Sequence, residues 1–356
     1  MLNRFISSKY TTTGNNFYAR RFKPEVKLRW SAGCGRNIVD CFGDQGRCIA
    51  ALYNGGLVAF DMASGTRLWD TGRMPEHSIG SGCVLTDTGY IFCCHSPRGK
   101  PIGTIAFNAV DGTQCDFWME FYIPVGCCND QLVLGRRTDL PQLSVSIDGK
   151  FTLKEFPFPN SVILTFGTQL RHMWIAQQPR EFGDPLVTYA GDLDTGTIRW
   201  RNIGVSPRLA EGNYVLARGP SSQDLIRLIR AEDGATLWEI PAIIKSGICL
   251  IAEENKVIVH GPGISCFDLR NGEQIWRVDL KGDLAWGLVA TVGIVWHTDE
   301  YEVGKWCLYA RDIQTGEVLW QSNSSRWRLA IRAIVDDCLM VSRGTTLLCY
   351  EMTEQR

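Results

Sequence analysis

Fourteen cysteines are spread over this 356-residue chain, and two pairs of them, Cys93-Cys94 and Cys127-Cys128, are adjacent in sequence. Neighbouring thiols can cycle between dithiol and disulfide, so redox chemistry is the first use such pairs suggest. The competing use is packing. Most of the cysteines stand in apolar runs, where a thiol behaves as a small hydrophobe. No Cys-x-x-Cys spacing occurs, and no export signal is expected, so the thiols are read as reduced and not zinc-bound. The histidines, His77, His95, His172, His260 and His297, stand singly with no His-Glu-x-x-His spacing. Asp192 and Asp194 read as a turn-capping pair. Phosphate-binding loops and nucleophile elbows are absent. One further cluster, Arg326, Trp327 and Arg328 with Arg332 close by, has the composition of a protein-contact hot spot.

Around these residues runs a repeated phrase. It reads Asp61-Met-Ala-Ser-Gly65-Thr-Arg-Leu-Trp69, then Asp192-Leu-Asp-Thr-Gly196-Thr-Ile-Arg-Trp200 and Arg230-Ala-Glu-Asp-Gly234-Ala-Thr-Leu-Trp238. Asp268-Leu-Arg-Asn-Gly272-Glu-Gln-Ile-Trp276 and Asp312-Ile-Gln-Thr-Gly316-Glu-Val-Leu-Trp320 follow, with eroded copies at Asp111-Gly112 and Asp148-Gly149. A period near ~40 residues signals a propeller or a solenoid. Glycine after Ser, Asp, Asn or Thr predicts a hairpin turn with positive φ. The aspartate four residues earlier can accept from the turn's amides. The tryptophan four residues later can bury its ring against the next repeat.

Before each phrase lie apolar runs of strand character, such as Ile248-Cys-Leu-Ile-Ala252, Lys256-Val-Ile-Val-His260 and Gly263-Ile-Ser-Cys-Phe267. Four strands per repeat give blades at 37–70, 78–120, 121–156, 160–202, 203–240, 242–279 and 282–322. Residues 327–352 hold three more strands. The fourth is expected at the other end of the chain, in Lys27-Leu28-Arg29-Trp30, where it would close the ring and remove exposed sheet edges. The expected fold is all-β: an eight-bladed β-propeller of four-stranded antiparallel blades, closed by an N-terminal outer strand. Seven blades is the alternative if the weak third unit is irregular. Residues 27–356 form the propeller and 1–26 an N-terminal extension.

This pattern resembles the pyrroloquinoline-quinone-type repeat propellers, a superfamily that includes quinoprotein alcohol dehydrogenases and bacterial outer-membrane assembly lipoproteins. The resemblance covers roughly residues 27–352. For the dehydrogenases it implies a vicinal disulfide packed on the quinone, which would fall on Cys127 and Cys128 as cofactor-binding residues, with PQQ and calcium as cofactors. The chain departs from them in length, and their calcium ligands and catalytic aspartate have no recognisable counterpart. The assembly-factor alternative lacks the expected export and lipid-anchor signals.

The formal charge of −1 argues against a nucleic-acid partner. No apolar run reaches the ~18 residues needed to span a membrane as a helix. Residues 1–23 are basic, hydroxyl-rich and free of acids, the composition of a mitochondrial presequence, so an intracellular location, cytoplasmic or mitochondrial, is expected. The expected function is a non-catalytic scaffold for protein partners, with no cofactor. A redox enzyme using a central funnel is the alternative. The segments His95–Gly103 and Gln177–Asp184 are the expected variable loops.

Overall fold

A strand covered on both faces needs apolar side chains throughout, and the inner strands of this protein have them. In Lys256–His260 every residue is buried, with Val257 and Ile258 fully so. The outer strands show the opposite composition. In Ile198–Ile203 and Gln274–Asp279 the tryptophan is the single buried residue. The computed structural model describes residues 24–354 except 45, 54–55, 73–82, 87–88, 96–102, 121, 129–130, 137–141, 148–149, 156–172, 178–186, 193–194, 196, 220–223, 245–246, 282–286 and 292.

Among the described residues there are eight antiparallel sheets, and the fold is an all-β propeller. They cover 38–70, 83–120, 122–155, 173–203, 206–241, 247–279, 288–321, and 329–354 with 24–33; we number them first to eighth. Seven are four-stranded. The fourth has three described strands, and its expected first strand falls in 156–172, outside the described residues. The weak third unit is a regular four-stranded sheet.

The eighth sheet takes its outer strand from the beginning of the chain. Pro24–Gly33 pairs antiparallel with Thr346–Glu354, from Pro24 opposite Glu354 to Gly33 opposite Thr346. The strand thus begins ahead of the expected boundary at 27, because its partner is long enough to offer ladder positions as far as Glu354.

Two units are resolved. One holds Met1–Gly72 and Ile243–Arg356, the other Arg73–Ala242. Within each, the apolar cores lie between neighbouring sheets. Trp30, Cys48, Phe60, Met340 and Cys349 join the eighth sheet to the first. Trp296, Leu308, Ile331 and Leu348 join the seventh to the eighth, and Ile258, Cys266, Trp276 and Val295 the sixth to the seventh. In the other unit, Ile175, Trp200, Val215 and Ile229 join the fourth to the fifth.

The repeated phrase supplies the joints. Its turn is closed by Gly65 N–H donating to Asp61 O at 2.8 Å, and likewise Gly234 to Arg230, Gly272 to Asp268 and Gly316 to Asp312. These glycines have φ between +71° and +74°. The aspartates cap the turn: Asp61 Oδ1 accepts from the Ser64 amide at 2.7 Å, and Asp312 Oδ1 from the Gln314 and Thr315 amides at 2.8 Å. The bidentate Arg270 contact, with the Arg270 amide, holds the Asp268 carboxylate down at about 2.

The second residue of the phrase works in both directions. Its N–H binds the first hairpin of its own sheet, as Met62 N donates to Gly46 O and Ile313 N to Gly293 O. Its carbonyl accepts the indole N–H of the preceding sheet. Trp30 Nε1 donates to Met62 O at 2.9 Å, Trp200 to Ala231 O at 2.6 Å, and Trp276 to Ile313 O at 2.8 Å. Each of these rings also lies flat against the phrase glycine: a Cβ built on Gly65, Gly234 or Gly316 would fall 2.6–2.8 Å from the facing tryptophan.

A β-bulge sits at the residue before the tryptophan in all five full copies. Ala59 opposes Trp69 while Phe60 opposes Arg67, and the pattern repeats before Trp200, Trp238, Trp276 and Trp320. The extra residue locally increases twist and re-aims the side chain that follows.

Candidate functional site

The loop 322–328 links the seventh sheet to the eighth and is pinned to the seventh. Ser322 N–H donates to Leu308 O and Ser322 Oγ accepts from Leu308 N–H, both at 2.9 Å. A two-way bridge joins Trp306 and Ser325, at 2.7 and 2.8 Å. Ser325 Oγ then accepts from Trp327 N–H at 3.1 Å and donates to Trp327 O at 2.9 Å. The backbone packs on its own sheet, as a short loop should, yet the Trp327 ring stays 69% exposed. Arg326 and Arg328 on either side are exposed too. The Arg328 guanidinium lies over the buried Trp306 ring, 4.9 Å from its centroid, so Trp306 is covered and Trp327 projects.

Beside this loop opens a cavity of about 290 Å³, lined among others by Asn37, Tyr53, Arg328, Arg332, Ser342 and Gly344. It lies at the end of the first and eighth sheets opposite the glycine turns. Arg332 spans both sheets, its Nη1 donating to Val39 O at 3.0 Å and its Nε to Ser342 Oγ at 2.7 Å. Apolar side chains are also exposed at this end: Tyr53 is 57% exposed, and in the neighbouring hairpin of the seventh sheet Val303 is 99% exposed.

The cysteine pairs resolve differently. Cys127 and Cys128 end the strand Tyr122–Cys128, opposite Leu132 and Gln131; their side chains lie outside the described residues. On Tyr90–His95, neighbouring residues point to opposite faces. Cys93 is buried and its sulfur meets Cys83 across the strands at 3.2 Å; half-buried Cys94 has its thiol pushed up to about 11 by burial. The described cysteines are all unbridged. The Cys338 thiol shifts the other way from Cys94. It accepts hydrogen bonds from the Cys349 thiol and from Arg29 Nη1, the latter at 3.8 Å, which bring it down to about 7.

Asp192 caps its turn through Thr195 N–H at 2.9 Å and pairs with Arg199; Asp194 lies outside the described residues. So do the expected variable loops at 96–102 and 178–184, and His77 and His172. Among the described residues no three His, Cys, Asp or Glu side chains converge where a metal ion could sit.

His297 is the buried titratable group that sequence alone under-reads. It is 0% exposed, stacked on Tyr309 with centroids 5.0 Å apart, and its Nε2 accepts from Arg311 Nε at 2.8 Å. The ring proton is thereby placed on Nδ1, which has no partner among the described residues. Burial first, then the Arg311 and His260 charges, hold its pKa well below the usual value of 6.5. Unfolding frees it to bind a proton, so its contribution to stability is complete above about pH 6.5 and lost as pH falls below that. The slope is up to about 1.4 kcal/mol per pH unit. His297→Gln, which keeps an acceptor for Arg311, is expected to flatten the acid limb of a stability–pH profile measured by urea titration.

Sequence reading placed Arg326, Trp327 and Arg328 by composition. It placed Arg332 beside them but missed Asn37 and Tyr53, because they come from a segment about 300 residues away in sequence, joined only by pairing of the chain's two ends.

The sequence profile of the family described as outer membrane protein assembly factor BamB matches residues 184–329 and 260–347. No curated protein matches. Among solved structures, BamB from Moraxella catarrhalis is 14% identical with a TM-score of 0.65, covering 92% of this chain and 98% of its own. A europium-containing methanol dehydrogenase is 11% identical at 0.65, covering 89% and 84%; the quinohemoprotein alcohol dehydrogenase of Comamonas testosteroni is 10% identical at 0.63, covering 91% and 76%. At these identities the likeness is one of fold.

Proposed function

We propose that this chain, a β-propeller assembled from repeats of the pyrroloquinoline-quinone type, is a non-catalytic scaffold that offers its Trp327 loop to a protein partner. The observation that carries the reading is a large aromatic ring held in solvent by a loop pinned through four hydrogen bonds at Ser322 and Ser325. Ordering such a loop on binding costs little, because it is already ordered. Tryptophan and arginine are the residues that most often dominate binding energy at interfaces. The likeness to a protein described as an assembly factor supports a role in holding other proteins.

The turn glycines, capping aspartates and joint tryptophans described above already have structural roles, so partner binding is assigned to residues outside the repeat phrase. Trp327→Ala is therefore expected to reduce partner retention by the affinity-tagged protein in its native cell at least about tenfold, the cost of losing a ~1.4 kcal/mol contact or more. Its melting temperature should match the parent's. Retention equal to the parent's would count against the scaffold reading.

A further inference from the structure

We propose that the partner docks an acidic segment, carboxylates flanking an apolar side chain, onto the arginine-rich end of the first and eighth sheets. The inference rests on the scaffold reading of the Trp327 loop and specifies the chemistry of what binds there.

The charge at this end is predominantly positive. Segments 33–40, 323–334 and 339–347, which with Tyr53 supply the cavity lining, carry Arg36, Arg326, Arg328, Arg332 and Arg343 against one acid, Asp40. The chain as a whole is at −1, so the patch is a local concentration and does not reflect composition. Arg326, Arg328 and Arg343 are exposed, and Arg328 and Arg332 line the cavity itself. Carboxylates of the same and neighbouring sheets are engaged locally: Asp40 with the Cys41 amide at 2.9 Å, Asp70 with Arg67 at 3.0 Å, Glu302 with Lys305 at 2.5 Å.

Guanidinium groups bind carboxylates through paired N–H donors, and several of one sign steer an oppositely charged segment towards the surface. The apolar part of the ligand has its own place. A cavity of about 290 Å³, with Tyr53 at its rim and Trp327 beside it, can take one aliphatic or aromatic side chain. The neutral lining groups, Asn37 and Ser342, bear no charge that would repel a carboxylate.

The test is fluorescence anisotropy on the full chain with a fluorescein-labelled Glu-Glu-Leu-Leu-Glu-Glu peptide. A Gln-Gln-Leu-Leu-Gln-Gln peptide and a single-stranded oligonucleotide serve as competitors. The acidic peptide is expected to bind at least tenfold more tightly than the glutamine peptide. Affinity should fall at least tenfold between about 0.1 and about 1 M salt, where the screening length drops from about 10 to 3 Å. Arg328→Glu with Arg343→Glu should abolish binding. Since Arg328 covers Trp306, Arg326→Glu with Arg343→Glu serves as a second variant, and both are compared at matched melting behaviour.

Equal binding of the two peptides, no binding of either, or indifference to both charge reversals would overturn the acidic partner. Loss of partner retention in Trp327→Ala would still stand, so the two readings fail separately. Displacement of the peptide by the oligonucleotide at lower concentration would overturn both.

Discussion

Gly234→Ala is expected to destabilise the protein by about 3 kcal/mol, far more than the same change at Gly304. Both glycines have φ +74°. An alanine Cβ there costs about 1–2 kcal/mol from the left-handed conformation alone. At Gly304 nothing lies within 4 Å of the new atom. At Gly234 it would fall 2.7 Å from Trp200 Cδ2, inside a joint where the indole is fixed by its 2.6 Å hydrogen bond to Ala231 O. Overpacking of this kind adds about 1–3 kcal/mol. Trp200→Ala, which empties the joint, should cost about 3–5 kcal/mol. The two changes share one contact, so the double variant should fall short of their sum by 1 kcal/mol or more, in about the range for coupled neighbours. Urea unfolding of the four variants measures all of this. Equal costs at Gly234 and Gly304 would show that the tryptophan does not bear on the glycine.

Deletion of Pro24–Gly33 is expected to abolish soluble expression. That strand occupies the full edge of Thr346–Glu354. Without it the edge's backbone groups are exposed, a template for aggregation. The same deletion removes Trp30, whose indole N–H satisfies Met62 O and whose ring covers Gly65. It also removes Arg29, which donates to Cys338 Sγ and, through Nε, to Ala63 O at 3.1 Å. Size-exclusion chromatography of the truncated chain is the measurement. Adding a synthetic peptide of residues 24–33 during refolding should recover monomer by strand addition. A truncated chain that elutes as a folded monomer would refute the role given to the strand.

Much of this fold was legible because the repeat couples turn chemistry to packing within nine residues. The glycine turn, the aspartate cap and the tryptophan that reaches the next sheet all follow from residue type and spacing. Even the detached outer strand could be found, since Trp30 has no turn of its own. The bulge before each tryptophan was not legible. It depends on where the ladder slips, and residues such as Leu68 or Ile275 carry no mark of it.

The seventh sheet shows a second limit. The eighth sheet's last two strands come from opposite chain ends, so it has no glycine phrase to receive Trp320. Trp320 packs instead against Tyr350 and Trp296, at 6.3 and 6.2 Å between ring centroids. The site was legible only in part. Arg326, Trp327 and Arg328 announce themselves as neighbours in sequence, whereas Arg332 gains its place by bonding Val39, which only the fold brings near.

The most direct test of the account is site-specific photo-cross-linking in the native cell. One probe, benzoylphenylalanine, replaces Trp327 and keeps a large aromatic ring there, and a second replaces Asp337 in the first hairpin of the eighth sheet, at the opposite end. The account predicts a discrete protein adduct from position 327 and none from 337. No adduct from 327, or the same adduct from both positions, would contradict it.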